Sequence, residues 1–133
     1  MALLKLEIVC PDGEIFSGEA KSILLTTNDG EVQLLAGHAD FAAPLGTGRA
    51  KLVGADGEER TAALSGGFVI CDKSGARVVA TTFEFAENID LERAMRAKEE
   101  ATARISRAID ERELEIAKAK LARAISRIGV ASK

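Results

Sequence analysis

Tryptophan and tyrosine are absent from these 133 residues, histidine occurs once, and proline and cysteine occur twice each. Each scarcity removes a class of function. His38 has no second histidine to share a metal with, and Cys10 and Cys71 form no CxxC pair, which argues against a zinc site. The two thiols are expected to be free and buried in a reduced cytosolic setting, with a disulfide between them as the alternative. Ser22 and Ser65 lack the histidine neighbours of a nucleophilic triad. Ser65-Gly66-Gly67 is not a G-x-S-x-G elbow, and Gly66-Gly67 lacks the Lys-Ser/Thr of a phosphate loop. No enzyme is expected. No run of about 18 apolar residues is present to cross a membrane, and Met1–Cys10 lacks the apolar stretch of a signal peptide. A net charge of −3 offers nothing to nucleic acid.

What is present falls into two unlike parts. Residues 1–87 hold eleven of the twelve glycines and both prolines, whereas residues 88–133 hold ten alanines and only Gly129. The charge reverses as well, from 13 acids against 7 bases in the first part to 8 against 11 in the second. The expected architecture is α+β: an antiparallel β-sandwich over 1–87, then an antiparallel two-helix hairpin over 88–133.

In the first part Leu4, Leu6, Ile8 and Cys10 alternate with Lys5, Glu7 and Val9, the pattern of a strand with one buried face. Asp12-Gly13, Asn28-Asp29-Gly30, Asp56-Gly57 and Lys73-Ser74-Gly75 supply turn residues between such runs. Further strands are expected at 22–27, 31–35, 50–53, 60–64, 68–71 and 77–82, eight to ten in all. Gly66-Gly67 reads as a bulge or a close backbone approach.

In the second part Leu91, Met95, Thr102, Ile105 and Ile109 form one helical stripe, and Ala94, Ala97, Ala101 and Ala108 form another. Ala117, Leu121, Ala124, Ile125 and Ile128 continue the period in a second helix, with the turn expected at 110–113. Stripes this rich in alanine bury little area against each other, so the hairpin must lean on the sandwich or on another protein.

Arg123 and Arg127, four apart, project from one face of the last helix, and arginine forks suit phosphate. Arg93 reaches the same space if the helices are antiparallel, and Asp90 and Glu84 offer acceptors to an adenine amino group or ribose. Two plainer readings stand beside this one. Asp90 caps a helix, and the arginines form a basic surface for an acidic partner.

Five segments, in order, carry a resemblance. They are Val9–Glu14, Gly30–Ala39 (a counterpart of GEFGVLPGHAP), Ser65–Phe68 (SGGF), Ile89–Ala94 (I/L-D-x-x-R-A) and Leu121–Ile128 (L-x-R-A-x-x-R-L). The chain resembles the epsilon subunit of bacterial F-type ATP synthases along essentially its full length. Gln33, Ala36 and Asp40 depart from the Gly, Pro and Pro common in that family's GHAP loop, so the loop is expected to be less rigid. The resemblance implies a non-catalytic rotor subunit on the cytoplasmic face of the cell membrane, peripheral and without insertion of its own. Its sandwich would contact the gamma subunit and the c-ring, helping to couple ion flow to rotation. Its hairpin, when extended, would reach the alpha and beta subunits of the catalytic head and inhibit ATP hydrolysis. No cofactor is required. ATP is the regulatory ligand implied, at Glu84, Ile89, Asp90, Arg93, Ala94, Arg123 and Arg127, while His38, Lys118, Lys120, Arg123 and Arg127 are the implied partner contacts. A free-standing soluble nucleotide-sensing module is the alternative.

Overall fold

The computed structural model describes residues 2–131, and Lys133, one of the bases counted above, lies outside them. Among the described residues seven strands form, fewer than the eight to ten expected: β1 (Leu4–Cys10), β2 (Gly13–Thr27), β3 (Gly30–Leu35), β4 (Phe41–Pro44), β5 (Thr47–Gly54), β6 (Glu59–Asp72) and β7 (Gly75–Phe85). The count drops because runs that look separate in sequence are continuous. Segments 60–64 and 68–71 belong to the single strand β6, and β2 begins well before residue 22.

Continuity also makes the sandwich. The first half of β2 pairs with β1, and its second half pairs with β3 and β5, with a register shift between Ala20 and Ser22 where it crosses over. In the same way β6 pairs with β5 through Glu59–Ser65 and with β4 through Phe68–Cys71. The ladder from β6 to β7 keeps one register across this corner, so Gly66-Gly67 is a close approach without a bulge. Gly66 (φ 68°) and Gly67 (φ 101°) occupy left-handed backbone, and a Cβ on Gly67 would stand 1.9 Å from the Val79 carbonyl oxygen. Only glycine lets the strand turn there. All pairings are antiparallel except β1 with β7, which run parallel.

The two inner faces meet in a core that includes Leu6, Ile8, Ile23, Leu25, Leu34, Leu52, Leu64, Val69 and Val78. Alternation along β1 matches the expectation, with Leu4, Leu6 and Ile8 buried. Both thiols are free, but only Cys71 is buried. Cys10, at the strand's end, is half-buried, contrary to expectation.

A 3-10 turn (Ala86–Asn88) leads from β7 into α1 (Leu91–Arg107), and α2 (Glu111–Ala131) returns antiparallel. The connection is Ala108–Asp110, overlapping the expected cluster only at Asp110, because the other three residues of that cluster start α2. Asp110 Oδ1 accepts from the Glu113 N–H (2.8 Å), and the Glu113 carboxylate accepts from the Ile109 N–H (3.2 Å). This reciprocal capping fixes the turn without glycine. The alanine stripe is the buried one: Ala94 and Ala101 in α1, Ala117 and Ala124 in α2. Leu91, Met95 and Ile109 of the larger stripe are exposed, Ile109 at 85%.

Candidate functional site

The hairpin is docked. α2 packs on β5 and β6, with α1 on its far side. Ser126 Oγ donates to the Gly48 carbonyl of β5 (2.9 Å), and Arg127 forms an ion pair with Glu84 of β7 at 3.3 Å. Ala63 of β6 is buried outside the sandwich core, on the face that α2 covers. Small side chains permit this approach, and they limit its strength. Each buried alanine methyl contributes about 0.8 kcal/mol, and a half-exposed ion pair adds at most about 1 kcal/mol. The dock is a few such contacts wide.

At the root of the hairpin the docking closes a cleft of about 430 Å³. Its walls come from three elements. β7 presents Glu84, pointing outward because its neighbours Phe83 and Phe85 point into the core. The turn and the start of α1 supply Asn88, Ile89, Asp90, Arg93, Ala94 and Ala97, and α2 supplies Arg127. Six of the seven residues named from the sequence thus line one cleft. Arg123, the seventh, lines an adjoining furrow of about 230 Å³ between the helices with Ala97, Glu100, Ala101, Arg104, Lys120 and Arg127. Ala97 and Arg127 border both spaces.

Asp90 performs the plainer of its two readings as well. Its Oδ1 accepts from the Arg93 N–H at 3.1 Å and caps α1, leaving the second carboxylate oxygen for other partners. The guanidinium of Arg93 has no ion pair among the described residues. Below the cleft, Arg60 grips the linker: two of its nitrogens donate to Glu87 Oε1 (3.1 and 2.6 Å), and its guanidinium lies 3.7 Å over the Phe85 ring. That hydrogen bonding holds the Glu87 carboxyl below its ordinary range.

His38 is elsewhere, in the β3–β4 loop at one end of the sandwich. Its Nδ1 donates to the Ala39 carbonyl (2.7 Å), and its ring meets Phe41 edge-on at 6.0 Å. Lys118 and Lys120 are exposed on α2. The structure therefore separates the candidate partner contacts into a sandwich end and a helix surface. Arg104 escaped the sequence reading although a signal existed. Arg93, Ala97 and Arg104 fall at i, i+4 and i+11, on one face of α1.

A second surface stands out on the sheet not covered by α2. Cross-strand neighbours Val9, Val79, Phe68 and Pro44 form one outward row, and Ile70 and Ala42 flank it. Phe68 and Ile70 are close to half exposed.

Among the described residues no helix is long and apolar enough to cross a membrane. Family comparison matches residues 3–86 to the β-sandwich domain, and residues 87–132 to the long α-helix domain, of the ATP synthase delta/epsilon chain. The ATP synthase epsilon chain of Bacillus velezensis is 34% identical over 131 residues, covering 98% of each chain. That of Shouchella clausii is 36% identical over 132 residues, 98% of this chain and 96% of the other. Among solved structures, a chain of the Euglena gracilis mitochondrial ATP synthase (OSCP, F1 and c-ring) superposes with a TM-score of 0.84 and 26% identity, covering all of this chain and 83% of the other. A chain of the Tetrahymena thermophila central stalk and c-ring shares the fold, at a TM-score of 0.64 and 15% identity over 96% of this chain and 95% of the other. From the sandwich, the docked hairpin and these full-length matches together, the chain belongs to the epsilon-subunit family of the F-type ATP synthases.

Proposed function

We propose that this chain is a non-catalytic rotor subunit whose hairpin is a releasable brake on ATP hydrolysis. The observation that carries the reading is the double use of Arg127. It pins α2 to the sandwich through Glu84, and it lines the cleft that Asp90 and Arg93 share. A ligand taken up there has side chains of the sandwich edge, α1 and α2 around it, so it stabilises the docked state over any extended one.

ATP fits the cleft's chemistry. Arg93, Arg127 and the adjoining Arg123 face its phosphates, and Glu84 and the free oxygen of Asp90 accept from its amino or hydroxyl groups. At a free concentration of ~100 times its dissociation constant, ATP adds about 2.7 kcal/mol to the docked state, comparable to the contacts that α2 makes. When released, the hairpin carries the already exposed Leu91 and Met95 and the basic face of α2 up to the alpha and beta subunits of the catalytic head.

The sandwich serves the other end of the machine. Its uncovered apolar row around Phe68 and Ile70 suits the gamma subunit, and the end bearing His38 suits the c-ring. Through those contacts the subunit couples ion flow to rotation on the cytoplasmic face of the membrane. Calorimetric titration of the isolated chain with ATP, against GTP, tests the nucleotide arm: saturable, ATP-selective heat is expected, and its absence up to millimolar ATP overturns that arm. Co-purification with gamma separates the rotor role from a free-standing nucleotide sensor.

A further inference from the structure

The 3-10 turn that joins the sandwich to the hairpin touches both β6 and α2. From β6 it is gripped by one side chain, Arg60, which stands near the strand's start and opposite Leu52 of β5. The Nε and Nη2 of Arg60 both donate to Glu87 Oε1 (3.1 and 2.6 Å), and the centre of its guanidinium lies 3.7 Å over the Phe85 ring. Phe85 is buried and meets Phe83 edge-on at 5.4 Å, so the plate beneath the arginine is part of the sandwich core. A guanidinium suits both contacts at once, donating in its plane and stacking on its face. Its hydrogen bonds hold the Glu87 carboxyl below the ordinary range, so both charges are present at neutral pH.

The chain is therefore tied at Glu87, and the next tie is Asp90. The Asp90 carboxylate caps α1, and its carbonyl accepts the Ala94 N–H at 3.0 Å. Between these ties, Asn88 and Ile89 have no side-chain hydrogen bond among the described residues. One backbone bond, from the Ile89 N–H to the Ala86 carbonyl (3.2 Å), closes the turn there. Ile89 and Asp90 are both extended, with ψ of 125° and 102°, so a rotation within this short stretch swings α1 as a rigid body. Arg60, Phe85 and Glu87 all lie outside α1 and α2, so lifting α2 breaks none of the bonds in the grip.

We propose that Arg60 is the anchor of the hairpin: it holds the linker at Glu87 whether the hairpin is docked or released, and it confines the swing to Asn88–Ile89. Because the turn also lies against α2, the same grip presents it as a preformed seat for that helix. A turn ordered in advance spares docking the entropy of ordering it. Arg60 lies outside the Glu84–Asp90 cleft and acts through Glu87 and Phe85, so it is a positioning residue.

Amide hydrogen exchange of the full chain tests the seat. Arg60→Gln is expected to accelerate exchange across α2 by about 3- to 10-fold, on the scale of an exposed ion pair with a cation–π contact, while β5 and β6 stay as slow as in the parent. Glu87→Gln, at an exposed position that leaves the sandwich folded, gives a smaller acceleration in the same direction. The double variant does no more than Arg60→Gln alone, since the two side chains share one interaction. Arg77→Gln breaks an ion pair of the same 2.6 Å length, to Glu7, and is expected to leave α2 unchanged. Unaltered α2 exchange in both single variants, additive effects in the double, or an equal acceleration in Arg77→Gln overturns the proposal. The second arm rests on the brake reading. In the assembled synthase, with Cys10 and Cys71 replaced by serine, an Arg60→Cys/Glu87→Cys subunit joined by a reducible thiol cross-linker should inhibit ATP hydrolysis as the parent does. Inhibition lost on cross-linking and regained on reduction makes the contact a catch that must open, and overturns the anchor. No inhibition even by the parent overturns the brake reading instead, and the exchange result then decides the anchor by itself.

Discussion

Removing the two polar contacts under α2 should free the hairpin without unfolding the sandwich. In a Ser126→Ala/Glu84→Gln variant the hydroxyl that donates to Gly48 and the carboxylate that pairs with Arg127 are both gone. The part-buried hydrogen bond is worth about 0.5–1.5 kcal/mol. The ion pair, with side chains 30% and 39% exposed, is screened by solvent and is worth about 0.5–1 kcal/mol. Their sum, about 1–2.5 kcal/mol, shifts the docking equilibrium about 5- to 70-fold. Amide hydrogen exchange reads this element by element. Exchange across Ala117–Val130 should accelerate by a factor of that order, while the amides of β5 and β6 stay as slow as in the parent. Unchanged exchange in α2 refutes the claim that these contacts hold it. Uniform acceleration of helix and sheet together refutes the claim that docking and sandwich stability are separable.

Other expectations follow from single positions. Gly67→Ala should cost about 2–6 kcal/mol in urea unfolding, because the new Cβ meets the Val79 carbonyl and the backbone is left-handed. Gly129→Ala, with nothing within 4 Å of its Cβ, should be neutral or stabilising by up to about 1 kcal/mol. Phe68→Glu should leave the circular dichroism spectrum unchanged, since the ring is outward, and should abolish association with gamma. Retained association would move that interface elsewhere. Burial pushes both thiols up, so at pH 7 each is protonated and reacts slowly with a thiol reagent. Cys10 should label first, and buried Cys71 only as the protein unfolds. The reverse order would contradict the packing of β6.

How much was legible in the sequence differs between the two parts. The division was plain because glycine and alanine sort so sharply, and β1 was plain because one face is buried from Leu4 to Ile8. Strand number was not. In β6 the pair Gly66-Gly67 punctuates the sequence like a turn, yet the ladder to β7 runs through it in register. A glycine pair that bends a strand and one that ends it look alike until the partner strand is known. Along the hairpin the pattern was visible, but which stripe would be buried was settled by the close approach of the helices, which favours alanine over Leu91 and Met95. The cleft was largely readable, since Glu84, Ile89, Asp90, Arg93 and Ala94 are near in sequence and Arg127 lies on the antiparallel return. Arg104 was missed because its role depends on which α2 residues stand opposite, and that register follows from a turn fixed by Asp110 and Glu113, not by glycine.

The central claim is that the docked hairpin permits hydrolysis and the released one inhibits it. The most direct measurement locks the hairpin down. With Cys10 and Cys71 replaced by serine, cysteines at Glu84 and Arg127 are joined across the same contact by a thiol-reactive cross-linker with a reducible bond, long enough to span the two side chains it replaces. ATP hydrolysis by the assembled synthase carrying this subunit should be uninhibited when cross-linked and should fall to the parent level on reduction. If the cross-linked subunit inhibits as fully as the reduced one, the hairpin is not the brake.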